Sequence, residues 1–349
     1  MKKMPNKINL CNRDIGIEFP PLVIAEIGIN HEGNFEKAKQ MIKDAYESGA
    51  ECVKFQCHIL DDEMIPNTVI PGNAKESIWE IIKRCSLTES EEVELKKYVE
   101  NFGMIFLSTP FSRKAVDRLA KMDVCAFKIG SGECNNYPLL EHVSSYGKPV
   151  LLSTGMNDIK SISQSVSIFE KNKIDYALLH TTSMYPTPYR NVRLNALNEL
   201  KTNFPNAIIG LSDHSIGNYT CFGAVSLGAC ILEKHFTSDK KWPGPDIPVS
   251  IDPAQLNELV IGSKAIFQAR NGSKIILKEE QPTIDFAYSC VVSTKPIKKG
   301  EKFSKDNIWV KRPGNGEILA KDYNKILNCK SVEDISKDTQ LKWFMIDEN

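Results

Sequence analysis

Short apolar runs alternate with longer amphipathic stretches along most of this chain. The runs are Leu22–Asn30, Cys52–Gln56, Met104–Thr109, Ala126–Ser131, Pro149–Thr154, Tyr176–Thr181, Ala207–Asp213 and Ile231–Thr237. Each is rich in Val, Ile, Leu or Phe and too continuous for a half-exposed strand, which predicts parallel strands covered on both faces. The stretches between them read as helices with defined ends. Ala38, Met41, Ile42 and Ala45 mark one apolar face, which Gly49 stops, and Thr88 with Glu91 has capping-box spacing before a helix that Gly103 closes. A last helix is expected over Pro253–Arg270.

Eight strands with helical crossovers fit a (β/α)8 TIM barrel of about 250 residues. A doubly wound open sheet is the alternative. The count of eight, and the polar residue at the C-terminal end of nearly every run, favour the barrel. Asp61–Ser77 carries proline and glycine with little periodicity and is expected to be a functional loop over the barrel mouth. After Arg270 the texture changes. Asn271–Asp285 is polar and aperiodic, and beyond it short apolar runs (Ser289–Ser293, Ile308–Lys311) are broken by Lys298-Lys299-Gly300 and Pro313-Gly314-Asn315-Gly316. The division drawn from this is a barrel over 1–275, a linker over 276–285 and a small, mostly β module over 286–349.

Lys plus Arg equals Asp plus Glu, 44 against 44, which argues against a nucleic-acid footprint or a membrane-surface role. No apolar run approaches the roughly 20 residues of a membrane span. The ten cysteines form no CxxC pair, and Cys52, Cys125 and Cys230 sit inside apolar runs. Buried free thiols in a reducing compartment explain them, so a cytoplasmic protein is expected.

In a TIM barrel the C-terminal strand ends converge on one site. Here they bring together Glu26, Lys54, Gln56, Thr109, Lys128, Ser131, Glu133, Ser153, Ser183, Tyr185, Ser212, His214 and His235. Two lysines among hydroxyls describe a pocket for a small multivalent anion; taken singly, a rim Ser or Thr is also what any solvent-facing rim carries. His214 and His235 end neighbouring strands, side by side and within reach of one borderline divalent ion such as Mn²⁺. Two hydrogen-bonded rim histidines are the alternative. Glu26 and Glu133 suit acid–base work, substrate hydroxyls or an ion pair with a lysine. Asp246 lies in a Gly-Pro-Asp turn, where turn chemistry alone accounts for it. His31 and His58 lie near the rim without an obvious partner, and His142 and His180 read as structural.

The peptides Glu26-Ile-Gly-Ile-Asn-His-Glu-Gly33, Lys128-Ile-Gly-Ser-Gly-Glu-Cys-Asn-Asn-Tyr137, Tyr185-Pro-Thr-Pro188, Gly210-Leu-Ser-Asp-His214, Glu233-Lys-His-Phe236 and Val310-Lys-Arg-Pro-Gly-Asn-Gly316 closely resemble the bacterial N-acetylneuraminate (sialic acid) synthases. The resemblance spans almost the whole chain. It implies a TIM barrel followed by an antifreeze-like (SAF) domain, and condensation of phosphoenolpyruvate with N-acetylmannosamine and water to give N-acetylneuraminate and phosphate. It implies that Lys54, Thr109, Lys128, Ser131, Ser153, Ser183 and Ser212 bind phosphoenolpyruvate, with Ser183 standing where many relatives carry Asn. His214 and His235 become ligands of Mn²⁺, or of Mg²⁺ or Co²⁺. Gln56, Glu133, Tyr185 and Asp246 would hold the sugar, with Glu26 beside the reacting carbons. It further implies a homodimer with swapped C-terminal domains, in which Arg312 and Phe286 reach the partner's site. Phe55 and Cys57 depart from the common pattern around Gln56, as in relatives acting on diacetamido-trideoxy sugars, so a legionaminate or pseudaminate precursor is the rival substrate. A non-catalytic sugar- or ice-binding protein is the rival of a different class.

Overall fold

The computed structural model describes residues 7–347. Its chain divides into two compact units, Met1–Asn271 and Gly272–Asn349. The first opens with an antiparallel hairpin, β1 (Lys7–Leu10) and β2 (Arg13–Gly16). Eight parallel strands follow: β3 (Leu22–Gly28), β4 (Cys52–Cys57), β5 (Ile105–Pro110), β6 (Phe127–Ile129), β7 (Val150–Ser153), β8 (Tyr176–Thr181), β9 (Ile208–Asp213) and β10 (Ile231–His235). Their order is β5-β4-β3-β10-β9-β8-β7-β6, and β6 lies against β5. The first and last barrel strands are therefore neighbours, with His235 in register with Glu26. That pairing closes the sheet and excludes the doubly wound alternative.

Helices cover the outside. They are α1 (Phe35–Glu47), α2 (Leu60–Glu63), α3 (Ile78–Cys85), α4 (Glu89–Asn101), α5 (Arg113–Lys121), α6 (Tyr137–Ser144), α7 (Ile159–Lys171), α8 (Tyr189–Val192), α9 (Ala196–Asn203), α10 (Tyr219–Ser226) and α11 (Pro253–Ala269). The expected apolar face of α1 is buried, and Thr88 and Glu91 form the reciprocal capping box of α4. No described helix is long and apolar enough to cross a membrane.

Side chains on a strand alternate between faces. Val23, Ala25 and Ile27, or Val53, Phe55 and Cys57, face the helices and join the outer core. Leu22, Ile24, Cys52, Ile105, Leu107, Leu151, Leu179 and Ile231 fill the lower barrel interior, together with Ile8, Leu10 and Ile15 of the hairpin. The lower barrel is thus packed solid, with the hairpin's apolar face as its plug. Polar chemistry is confined to the upper end.

The second unit has its own small core around Val291, Phe303, Ile308, Ile318 and Leu341. One correction concerns its approach. The stretch read as an aperiodic linker contains a 3-10 turn at Lys278–Glu280 and the helix α12 (Gln281–Ala287), so Phe286 sits on a helix. Strands β11 (Cys290–Ser293) and β12 (Ile308–Lys311) pair antiparallel, as do β13 (Lys330–Ser331) and β14 (Ile346–Asp347).

Candidate active site

The strand alternation that buries the lower apolar layers places Glu26, Lys54, Thr109, Lys128, Ser153, Ser212 and Glu233 on the same inward face one step higher. They line a cavity of about 410 Å³ at the C-terminal mouth. At its base the two lysines meet two carboxylates. Lys54 Nζ lies 2.7 Å from Glu26 Oε2 and 3.8 Å from Glu233 Oε2, and Lys128 Nζ lies 3.5 Å from Glu233 Oε1. Lys54 also donates to Thr109 Oγ1 (3.0 Å), Lys128 to Ser153 Oγ (2.8 Å), and Ser212 Oγ–H to Glu233 Oε1 (2.9 Å). All four charged groups are buried. Burial penalises charge on each, and the neighbours decide the result. Burial lifts the Glu26 carboxyl, aided by Glu233 and opposed by Lys54. On Glu233 the two lysines and the Ser212 bond outweigh burial and hold its pKa low. On Lys54 the two carboxylates outweigh it and hold the ammonium pKa high. Burial wins at Lys128, which falls to about 8.

Glu233 was not assigned a role from sequence, yet it is the carboxylate shared by both lysines. The signal was available: in a strand of period two, Glu233 must face the same way as His235.

His214 and His235 stand above this cluster with ring centroids 5.4 Å apart. His214 Nδ1–H donates to the Thr182 carbonyl (2.9 Å), which leaves Nε2 its lone pair. His235 Nδ1 is buried with no hydrogen-bond partner. Burial lowers both pKa values and so favours the neutral ring, the form that ligates metal. An orphaned ring nitrogen beside a carbonyl-fixed neutral imidazole fits a cation. Among the described residues no group of three or more His, Cys, Asp or Glu is arranged to hold one. A two-histidine site would need oxygens from water or substrate. Tyr185 stacks on His214 at 4.1 Å, and Asp246 Oδ2 lies 3.9 Å from His235 Nδ1. Burial, then the charge of Glu26, lifts Asp246 to about 7.

Ser131 Oγ accepts from the Gly155 amide (3.0 Å), and Ser131, Ser183 and Gln56 line the cavity wall. Pro71, Gly72 and Asn73 line it too, which puts the expected mouth loop at the site. Asn73 Nδ2 donates to the Pro245 carbonyl (3.1 Å) and Asp246 Oδ1 (3.3 Å). Glu133 is not among the residues lining this cavity. It is bound by Asn136 and lines an adjoining one, with Glu63 and Phe111. Arg312 and Phe286 belong to the second unit.

Two sequence expectations change. Phe55 and Cys57 are on the outward face of β4, where Phe55 stacks on Phe106 (5.8 Å) and Cys57 Sγ lies 3.5 Å from Glu92. Neither lines the cavity, so their departure from the resembled synthases concerns packing between the barrel and its helices. His58 has partners after all. Its Nδ1 is 2.7 Å from Glu63 Oε2 and its Nε2 is 3.0 Å from Gln56 Oε1. His180 is bound by the Val192 carbonyl and His142 by Asp117, both outside the cavity lining.

A family model described as the NeuB family matches residues 41–275, and one described as the SAF domain matches residues 288–347. An uncharacterised protein of Methanocaldococcus jannaschii is 42% identical over 339 residues, which cover 97% of this chain and 98% of that protein. The N,N'-diacetyllegionaminic acid synthase of Campylobacter jejuni is 36% identical, over 92% of this chain and 98% of its own. Among solved structures, the N-acetylneuraminic acid (sialic acid) synthetase of Leptospira borgpetersenii serovar Hardjo-bovis, in complex with citrate, superposes with a TM-score of 0.74 at 33% identity, over 81% of this chain and 97% of that one.

Proposed function

This chain belongs to the NeuB family and ends in a SAF domain, and on that premise we propose that it condenses phosphoenolpyruvate with open-chain N-acetylmannosamine, giving N-acetylneuraminate and inorganic phosphate. The observation that carries the reading is the buried Lys54–Glu233–Lys128 arrangement beneath His214, whose Nδ1 is fixed by the Thr182 carbonyl, and His235, whose Nδ1 has no hydrogen-bond partner.

Lys54 and Lys128 meet the phosphate and carboxylate of phosphoenolpyruvate, and the hydroxyls of Thr109, Ser131, Ser153, Ser183 and Ser212 donate to the same oxygens. Holding that anion against the aldose brings the enol carbon within attack distance of the aldehyde carbon. A divalent cation, Mn²⁺ or else Mg²⁺ or Co²⁺, held by His214 and His235 would polarise the aldehyde oxygen as a Lewis acid. Attack leaves positive charge at C2, which Glu26 and Glu233 stabilise from below. Water adds at C2, and the tetrahedral adduct expels phosphate by C–O cleavage. Glu26, whose pKa burial raises, exchanges a proton at this step. Gln56, Tyr185 and Asp246 hold the sugar, with Glu133 at the edge. The SAF domain of a second copy supplies Arg312 and Phe286.

A second reading is a 2,4-diacetamido-trideoxy hexose as the aldose, favoured by the likeness to the Campylobacter enzyme. A 6-phosphosugar is disfavoured, since among the described residues the lysines lining the cavity are the two already assigned to phosphoenolpyruvate. The test is phosphate release from phosphoenolpyruvate with each sugar, before and after EDTA. Release with N-acetylmannosamine, lost on chelation and restored by Mn²⁺, supports the proposal. Release only with the diacetamido sugar moves it to the second reading, and undiminished turnover in metal-free protein refutes the metal.

A further inference from the structure

Gln56 ends the inward row of β4, and its side-chain amide is held at both ends. Its Nε2 donates to Glu26 Oε1 at 3.0 Å. Its Oε1 faces His58 Nε2 at 3.0 Å, and His58 Nδ1 faces Glu63 Oε2 at 2.7 Å. The hydrogens follow from the amide. With its NH₂ group turned to a carboxylate, Gln56 can only accept through its oxygen, so His58 Nε2 must carry the hydrogen it presents. The reversed amide would set its oxygen against the Glu26 carboxylate.

The outer end of this row is also fixed. His58 is buried and stacks on Phe111 with ring centroids 4.6 Å apart. Glu63 closes the four-residue helix α2, where Asp62 Oδ2 accepts from the backbone N–H of Lys114 at the start of α5 (2.8 Å). Gly28 leaves the room the inner end needs. Its φ is +55°, and a Cβ there would come within 3.1 Å of Glu26 Oε1 and 3.3 Å of Gln56 Nε2.

We propose that His58 and Glu63 are positioning residues that lock the orientation of the Gln56 amide, and through it the Glu26 carboxylate, for the condensation. The inference rests on the function proposed above. It is a brace and not a proton wire, because a side-chain amide interposed between two titratable groups does not pass protons in its stable form. Neither His58 nor Glu63 lines the reaction cavity, so they act through Gln56.

The test is a double-mutant cycle on the full-length protein, with turnover of phosphoenolpyruvate as one readout. His58→Phe preserves ring volume and the stack on Phe111 while removing the donor. It should lower kcat about tenfold, the lower end of what loss of an orienting partner costs, with little change in KM for phosphoenolpyruvate. Gln56→Met should cost at least as much, and the double variant no more than Gln56→Met alone. Glu63→Met should match His58→Phe, and Glu63→Gln, which keeps a hydrogen-bonding group opposite His58 Nδ1, should recover most of the loss. Additive losses in the double variant, or wild-type kcat in His58→Phe, overturn the proposal.

A second readout is independent of turnover. In protein labelled with ¹⁵N-glutamine, the side-chain signal that disappears in Gln56→Met should move in His58→Phe and Glu63→Met, and much less in Glu63→Gln. A signal unmoved by loss of His58 refutes the brace even in a preparation with no activity. Absence of phosphate release by the wild type on every sugar would instead sink the assigned reaction, leaving the brace to be judged by the amide signal.

Discussion

Lys128 is a single side chain whose surroundings set a working limit on the site. Burial brings its pKa from the ordinary 10.5 down to about 8. The charge that would attract phosphoenolpyruvate is therefore present below pH 8 and lost above it. The profile of kcat/KM for phosphoenolpyruvate, which reports the free enzyme, should fall about tenfold per pH unit beyond that point. Lys128→Arg keeps its charge throughout, so its profile should stay flat to pH 10 at a lower plateau. The same limb in the arginine variant would mean another group controls it. Glu233→Gln should be worse than its size suggests. It leaves two buried lysines sharing one carboxylate, and kcat should drop on the order of a hundredfold. At this scale the sequence was informative wherever chemistry coincided with a strand end. Lys54, Lys128, Ser153, Ser212 and both histidines could be read from the rule that barrel termini converge. Glu233 lies below the strand end, and only alternation, which sends Glu233 and Lys234 to opposite faces, turns it into the site. Glu133, grouped with the strand-end residues, lies two residues beyond the end of its run at Ser131. The turn after β6 carries it to the adjoining cavity.

Individual elements were legible where their apolar pattern was long. All eight barrel strands start within a residue of their runs, because a strand buried on both faces has no polar interruption until it reaches the mouth. Helix α12 was missed for the opposite reason. It has seven residues, a proline in its first turn and no buried side chain, so no periodicity can develop. Strands β9 and β10 also show what an element does beyond carrying site residues. Their outward Asp213 and Lys234 form a fully buried pair at 2.5 Å, which Ser215 and Thr220 complete. This pair ties together the two strands that end in His214 and His235. Lys234→Met leaves Asp213 uncompensated and should cost about 3 kcal/mol, measurable as a lower urea midpoint at unchanged slope. A loss below 1 kcal/mol would show that the pair adds little.

At the scale of the whole molecule, the barrel and the small β module were visible as a change of texture after Arg270, and both now have a family model behind them. The proposed exchange of modules between copies is a property of an assembly rather than of one chain. The proposed exchange has a decisive test. Arg312→Ala and His214→Ala homodimers should each be nearly inactive. If Arg312 acts on the partner's site, heterodimers of the two place both lesions in one site and none in the other, so mixing restores activity. If it acts within its own chain, every site keeps a lesion and the mixture stays dead.

The packed lower barrel and its hairpin plug also dictate the order of traffic. Among the described residues the lower end of the site is packed shut, since Ile8, Leu10 and Ile15 join the apolar layers there, and the site opens at the barrel mouth. The groups proposed for phosphoenolpyruvate are at the closed end, with Lys54 3% and Lys128 2% exposed, while Tyr185 at the doorway is 39% exposed. Whichever reactant sits deeper must enter before the other blocks its way. Turnover should therefore be sequential and ordered, phosphoenolpyruvate first. A reduced sugar alcohol, which lacks the aldehyde and cannot react, should compete with the aldose but inhibit uncompetitively against phosphoenolpyruvate. Competition with both would mean that the site has a second way in.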